Sequence, residues 1–545
     1  MKNLTVFFTR HQKLIFLFLT VLTGAWIFAG QWDYQAYISQ GDHGRDLYAF
    51  KMITEGAVPY RDFSWLFGPL MLYYYGAFFK WLGASIQSAV IGQNVLILLT
   101  GVFLYLTCAR FFSPALSLLC ALWYWSARGT EFFYTYNHSG GILCMVIMAY
   151  AGFSYIDRPR YRYILYGLLT AFLFILIRFN MAACVLAAWA LGMVFADSLR
   201  FSPLARNRIR SIFYGALACG ILALIVYWLY FRGLPIYVLW ESFPLSKAQR
   251  TDATVDVLTA VQWLGEILGP FFTSSAAGYG ILILIGLSVA GTAALLVQRP
   301  SNTLRDRRKI GSVLVFCFLL ILFTLHEYLL SGVAYRLYWS FPSFLLLLTA
   351  FLGYMLREVR SLVVRLLIYG SLAYLAWVLA TGVMLLVRQV HNPGHLLSRG
   401  ETRAYSLQDP GWIDTVNRTC DFIEKNVPSG DKLFTVPFDT LYNFLTGRDQ
   451  PVRQWVYFQH MIIPEEQQRA TILGLEQERV NWILLSNRAI SIEPGLGLFG
   501  VEYCQVLGRY IQENFDVAAN FGPWTREPSW AWNHGVLILK RKTPY

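Results

Sequence analysis

"GDHGRDLYAFKMITEGAVPYRDFSWLFGPL", from Gly41 to Leu70, follows the first long apolar segment of the chain and gathers three aspartates, a histidine and two arginines. Where this stretch lies relative to a membrane decides the fold. The 545 residues are 56% hydrophobic and 17% aromatic, with only 14% charged side chains, against about 25% in a typical soluble chain. Apolar runs of roughly 16 to 20 residues recur, long enough to cross a hydrocarbon core of about 30 Å. This is the composition of a multi-pass membrane protein. The net charge of +13 then reflects Lys and Arg that set topology and face anionic membrane lipids, and does not point to nucleic acid.

The N-terminus reads Lys2, Arg10, Lys13 and then an apolar run over 14–30 with no small-residue cleavage site after it, which predicts an anchor rather than a signal peptide. Further apolar runs lie at 68–82, 88–108, 112–126, 139–156, 162–177, 181–196, 211–231, 279–297, 310–325, 337–356 and 363–387. The run at 68–82 is short, opens on Gly68-Pro69 and carries Lys80. If it lies along the interface, the loops "DRPRYRY" (157–163), "LRFSPLARNRIR" (199–210), "QRPSNTLRDRRK" (298–309) and "REVRSLVVR" (357–365) all join the basic N-terminus on the cytoplasmic side. If it crosses, all four face outward. The positive-inside rule therefore predicts a polytopic α-helical membrane protein of about eleven transmembrane helices, with an interfacial or re-entrant helix in the first outer loop and the N-terminus cytoplasmic. The outer face then collects 31–66, 126–141, Arg178 to Asn180, 232–278, 326–339 and everything past 388.

Past Arg388 the pattern changes. A helix over "WIDTVNRTCDFIEKNV" ended by Pro428, a strand "KLFTVP", a helix near 464–479, a strand "WILLS", a helix near "CQVLGRYIQENF" and a strand "GVLILKRK" predict a small α/β domain outside the membrane. The expected division is 1–387, a membrane domain with its first outer loop at 31–87, and 388–545, the extracytoplasmic domain. Six of the eight cysteines sit in or beside apolar segments; Cys420 and Cys504 lie in the tail, where their pairing stays open. No zinc spacing, P-loop or dinucleotide fingerprint is present. Asn137-His-Ser139 and Asn417-Arg-Thr419 are sequons on the predicted outer face.

Asp42 and Asp46 are four apart, so a helix would set both on one face. Each would raise the pKa of the other, while Arg45 or His43 would lower both. A solvated loop beside a membrane helix is the competing reading of these carboxylates. For the segment "TVDVLTAVQWLGEILGPFF" (254–272) an amphipathic surface helix and a gate over a lipid groove are the two readings.

An early outer Asp, Tyr48-Ala49 shortly after it, "GAVPYRDF" (56–63), "GPL" (68–70) and "FKWLG" (79–83) together resemble the GT-C superfamily of membrane glycosyltransferases. The resemblance is to its bacterial branch, related to protein O-mannosyltransferases and the lipid A aminoarabinose transferase. "AYRLYWSFPSFLLLL" (334–348) resembles the family's late outer-loop pattern, and "LFTVPFDTLYNFLTGRDQPVR" (433–453) the start of its C-terminal outer domain. The sequence departs from it at Asp42-His43, where relatives often have Asp-Glu.

The resemblance implies transfer of a sugar from a polyprenyl-phosphate donor to an acceptor hydroxyl of a lipid, glycan or protein on the extracytoplasmic face of a bacterial plasma membrane. In an inverting transfer one carboxylate serves as general base, which makes Asp42, and after it Asp46, the catalytic candidates. The phosphate leaving group needs positive charge rather than an acid. Arg178, which interrupts "FLFILIRFNMAACVL", is the first candidate, read either as a phosphate ligand or as a snorkelling arginine. Arg336 beside Tyr338 is the second; Arg45, Lys80 and Arg128 follow, and His138 is a further substrate-binding candidate. His138 and the pair His326-Glu327 leave a divalent metal open. A lipid-linked-sugar flippase and an O-antigen-type ligase or polymerase are the rival functions; the first lacks the mid-helix charges of a transport path, and the second the Arg- and His-rich outer loop expected of that class. The sugar, the acceptor and the oligomeric state are not legible in the residues.

Overall fold

The computed structural model describes residues 2–29, 41–126, 136–198, 205–242, 304–331, 334–359, scattered positions between 362 and 380, 396–399, 402–405, 410–457, 463–487, 497–524 and 534–544. Helices dominate the first part: α1 (Lys2–Ala29), α2 (Asp42–Thr54), α3 (Leu70–Leu82), α4 (Ile86–Cys108), α5 (Pro114–Ser126), α6 (Tyr136–Asp157), α7 (Tyr161–Ile175), α8 (Phe179–Ser198), α9 (Ala205–Phe231), α10 (Ile236–Ser242), α11 (Leu304–Thr324), α12 (His326–Ser331), a 3-10 turn (Ala334–Trp339) and α13 (Phe341–Glu358). Among the described residues six helices are long and apolar enough to cross a membrane, those containing 11–28, 86–108, 136–157, 179–198, 205–231 and 341–358. The chain is a multi-pass membrane protein. Of the other predicted crossings, α5 and α7 are shorter apolar helices and α11 covers 310–324. The run at 279–297 lies outside the described residues, and 363–387 is described only in part.

The helices approach closely where one of them lacks a side chain. Phe316 of α11 fills notches at Gly152 of α6 and Gly192 of α8, where a Cβ would lie 2.4 Å from its ring in each case. Small residues of this kind let packing replace the hydrophobic effect, which lipid does not supply between helices.

α3 runs across one end of the bundle rather than through it. Its first residue, Leu70, donates a backbone hydrogen bond to Leu176 (3.0 Å) at the α7–α8 turn; Tyr75 in its middle bonds the Tyr136 carbonyl at the start of α6 (3.0 Å); Phe79 near its other end packs on Phe444. The starts of α4, α6 and α8 therefore share this end with both ends of α3. The basic loops gather at the opposite end: Lys309 pairs with Asp157 (2.9 Å), Arg208 with buried Asp197 (3.1 Å), and Lys13 caps the end of α4 at the Ala109 carbonyl (2.7 Å).

The tail forms β1 (Leu396–Arg399) paired antiparallel with β2 (Thr402–Tyr405), then α14 (Pro410–Asn426), β3 (Leu433–Val436), α15 (Leu441–Thr446), α16 (Glu465–Gln477), β4 (Trp482–Ser486), α17 (Gln505–Asn514), β5 (Phe515–Phe521) and β6 (Val536–Arg541). The larger sheet has the order β3-β4-β6-β5, parallel between β3 and β4 and antiparallel elsewhere. Phe434, Ile483, Leu507 and Leu539 form its own buried cluster. Val536 and Ile538 belong instead to the core continuous with the helices. Cys420 and Cys504 are free thiols, one in each of these clusters.

Candidate functional site

α2 is not an apolar helix, yet His43 through Phe50 are all buried. Burying charge is costly unless it is paired, and α2 meets that condition within its first two turns. Arg45 reaches back one turn to Asp42 (Nη1 to Oδ1, 2.9 Å) and sideways to Asp46, with Nε and Nη2 both donating to Oδ1 (2.9 and 2.7 Å). Its guanidinium lies against Trp65, Phe67 and Phe438 (5.3, 5.1 and 5.7 Å to the ring centroids), as a planar, weakly hydrated cation allows. The Asp42 side chain is 22% exposed and that of Asp46 only 1%. Burial pushes the Asp46 carboxyl up to about 6, against the lowering effect of Arg45.

The turn between α7 and α8 supplies a second cluster. Arg178 pairs with Glu327 of α12 (2.5 Å) and with Nε2 of His138 at the start of α6. Asn180 also donates to Glu327 (3.1 Å). Burial raises the Glu327 carboxyl, but the charges of Arg178 and Arg336 outweigh this and hold it below the usual range. Tyr338 and Trp339 of the 3-10 turn pack on the His138 ring (4.8 and 5.2 Å).

Phe67 joins the two clusters, because the Arg178 guanidinium lies 5.4 Å from the ring that also carries Arg45. The loop bearing Phe67 is fastened to the Arg178 turn by Gly68 N–H to the Ile177 carbonyl (2.9 Å). A Cβ on Gly68 would sit 2.0 Å from the Leu176 carbonyl oxygen, so only glycine permits this approach. From the other side the tail closes on α2. Gly44 abuts the Leu441 backbone, where a Cβ would lie 2.7 Å from the nitrogen. Gln450 N–H donates to the Tyr48 hydroxyl (2.9 Å), and Trp455 stacks on Phe63 (4.7 Å, 10°).

Seven of the residues singled out from sequence thus meet at one end of the bundle: Asp42, Arg45, Asp46, His138, Arg178, Arg336 and Tyr338. Lys80 is exposed near the far end of α3, about 15 Å along the helix from Leu70. Arg128 lies outside the described residues, as does the segment 254–272. Glu327 enters as the partner of Arg178, a role that needs a contact 149 positions away in sequence. Phe67 and Phe438 carried no signal of their own, since an aromatic beside a membrane is ordinary. The Asn137 sequon is buried within the first turns of α6, where a glycan cannot be attached to the folded chain. Thr419 of the second sequon is likewise buried, in α14. Among the described residues no three His, Cys, Asp or Glu side chains gather as a metal site. His326 turns its Nδ1 to the Phe323 carbonyl (2.8 Å), while Glu327 faces Arg178.

No protein-family model matches the chain, and no curated protein matches its sequence. Its fold has close counterparts nonetheless. Over 97% of its length it is similar to ArnT from Cupriavidus metallidurans in the apo state (98% of that chain, TM-score 0.55, 10% identity). It is similarly related to ArnT bound to undecaprenyl phosphate (96% of this chain, 97% of that one, TM-score 0.54, 10% identity). At such identity the likeness is one of fold: the chain is a multi-pass membrane protein whose overall fold is similar to that of ArnT.

Proposed function

We propose that the protein is a glycosyltransferase that moves a sugar from a polyprenyl-phosphate carrier to an acceptor hydroxyl, with Asp42 as general base. The observation that carries this reading is the pairing of two clusters of opposite charge through one aromatic ring. Around Arg45, two carboxylates face one guanidinium; around Arg178, two guanidiniums face the Glu327 carboxylate. The first cluster suits a proton acceptor and the second a phosphate. Asp42 is favoured over Asp46 because it is the exposed member of the pair, and a base must come within hydrogen-bond reach of the hydroxyl it deprotonates. Asp46 instead orients Arg45, which in turn holds Asp42.

In the transfer, the acceptor oxygen attacks the anomeric carbon and its proton passes to Asp42. The bond from that carbon to the phosphate oxygen breaks, and the electron pair leaves on the polyprenyl phosphate. Arg178 and Arg336 bind that phosphate, and no acid is needed to protonate it. ArnT was solved with undecaprenyl phosphate, the class of carrier proposed here. The segregated basic loops support a plasma-membrane topology with this site and the tail on the extracytoplasmic face.

The test is reconstitution with undecaprenyl-phosphate sugars and a panel of lipid, glycan and protein acceptors. Asp42→Asn is expected to lower transfer by about 10²- to 10⁴-fold. Transfer that survives the substitution unchanged removes Asp42 as base. Label that crosses the bilayer without being transferred replaces the enzyme by a flippase.

A further inference from the structure

Three side chains around the start of α6 keep polar atoms that have no partner among the described residues. Asn137 is 2% exposed, and neither its amide nitrogen nor its oxygen is bonded; His138 is 7% exposed with Nδ1 unbonded; Trp339 is fully buried with Nε1 unbonded. Buried polar atoms are nearly always paired, so a concentration of orphans needs a reason.

Arg178 settles what His138 offers. A guanidinium only donates, so His138 Nε2 accepts from Arg178 and the ring hydrogen is on Nδ1. His138 therefore presents a donor, and the Trp339 indole, which packs on its ring (5.2 Å), presents another. Asn137 shares a face of α6 with residues that meet Trp339. It lies one turn before Gly140 and Gly141; a Cβ on Gly140 would meet Met71 and Ile177, and one on Gly141 would meet Trp339 and Phe174. Asn137 therefore stands on the face of α6 that meets Met71, Ile177 and Trp339 one turn further along.

We propose that Asn137, His138 and Trp339 form the subsite that reads the hydroxyl groups of the donor's sugar ring. The proposal rests on the glycosyltransferase reading of this site and names the part of the donor bound here. A phosphate only accepts hydrogen bonds and would leave the Asn137 oxygen unpaired, and a lipid tail would leave all four atoms so. A sugar hydroxyl both donates and accepts, which matches a set of two N–H donors and a carboxamide. Sites built to bond a hydroxyl discriminate strongly, because a ligand lacking it strands the buried partners.

The test compares the affinity of wild type, Asn137→Leu and Trp339→Phe for bare undecaprenyl phosphate and for the same carrier bearing arabinose, mannose, glucose or galactose. Wild type is expected to bind at least one sugar-loaded carrier tenfold or more tighter than the bare one. Each variant is expected to lose most of that preference while holding the bare carrier within about twofold, with thermal unfolding as the check on folding. A variant that weakens bare and loaded carriers alike, or keeps the wild-type preference, overturns the subsite and leaves the glycosyltransferase standing. Absence of any preference in a wild type that transfers sugar does the same. Failure of wild type to bind any of these carriers, with no transfer, overturns the glycosyltransferase reading and the subsite with it.

Discussion

Asp42 and Asp46 are both carboxylates that share one arginine and differ in access to solvent, and the roles proposed for them rest on that difference. Asp46 carries a pH signature. With its carboxyl raised to about 6, the folded protein takes up a proton that the unfolded chain, with its ordinary carboxyl near 3.9, does not bind until lower pH. Its contribution to stability is therefore greatest below pH about 4 and is lost as the pH rises through about 6. Activity should move the opposite way: protonating Asp46 releases part of its hold on Arg45, so transfer is expected to fall with an inflection near pH 6. The transfer rate measured between pH 5 and 8 should show that inflection in wild type and lose it in Asp46→Asn. An inflection that persists in the variant assigns it to another group.

Helix α2 and the loop after it are held between the bundle and the tail. Two glycines set its position by what they lack. Gly68→Ala drives a methyl group into the Leu176 carbonyl, so the Phe67 loop must shift and the two clusters with it. A cost of about 1 to 3 kcal/mol in stability is expected from such overpacking. A loss in transfer of about 10²-fold is expected from the misplaced groups, measured by thermal unfolding and by initial rates. Gly44→Ala acts at the opposite contact, against Leu441. It is expected to loosen the tail, read as faster limited proteolysis after Arg388, with carrier binding at Arg178 less affected than transfer.

At the scale of the molecule, the proposed site and the basic segments lie at opposite ends of the bundle. The far end carries the buried Arg208–Asp197 pair, with Tyr155 also donating to Asp197. Arg208→Ala leaves a carboxylate stranded and is expected to cost about 3 to 5 kcal/mol, seen as a lower unfolding temperature. Transfer measured well below that temperature should be nearly unchanged. A comparable loss of activity in the fully folded variant would mean that the two ends are coupled.

Much of this architecture is legible in a one-dimensional pattern, because membrane helices must bury their own backbone polar groups and so appear as apolar runs. The basic loops and the α/β order of the tail are local signals of the same kind; "WILLS" is the strand β4 as read. β5 escaped because it begins at Phe515, directly after α17 ends at Asn514 with no turn residues between them, and most of its residues, Asp516 and Asn520 among them, face outward. The sequence by itself determined that this is a polytopic protein with its acidic stretch on the face opposite the basic loops, and it singled out most of the charged residues at the site. Only the tertiary structure decided which of them are partners. Arg45 with two aspartates is a local event of one helical turn, but Arg178 with Glu327, Phe67 between the guanidiniums and Leu441 against Gly44 join positions tens to hundreds apart. Such pairings depend on how helices cross and on where a missing Cβ lets backbones touch, and no run of residues encodes that until the chain has packed.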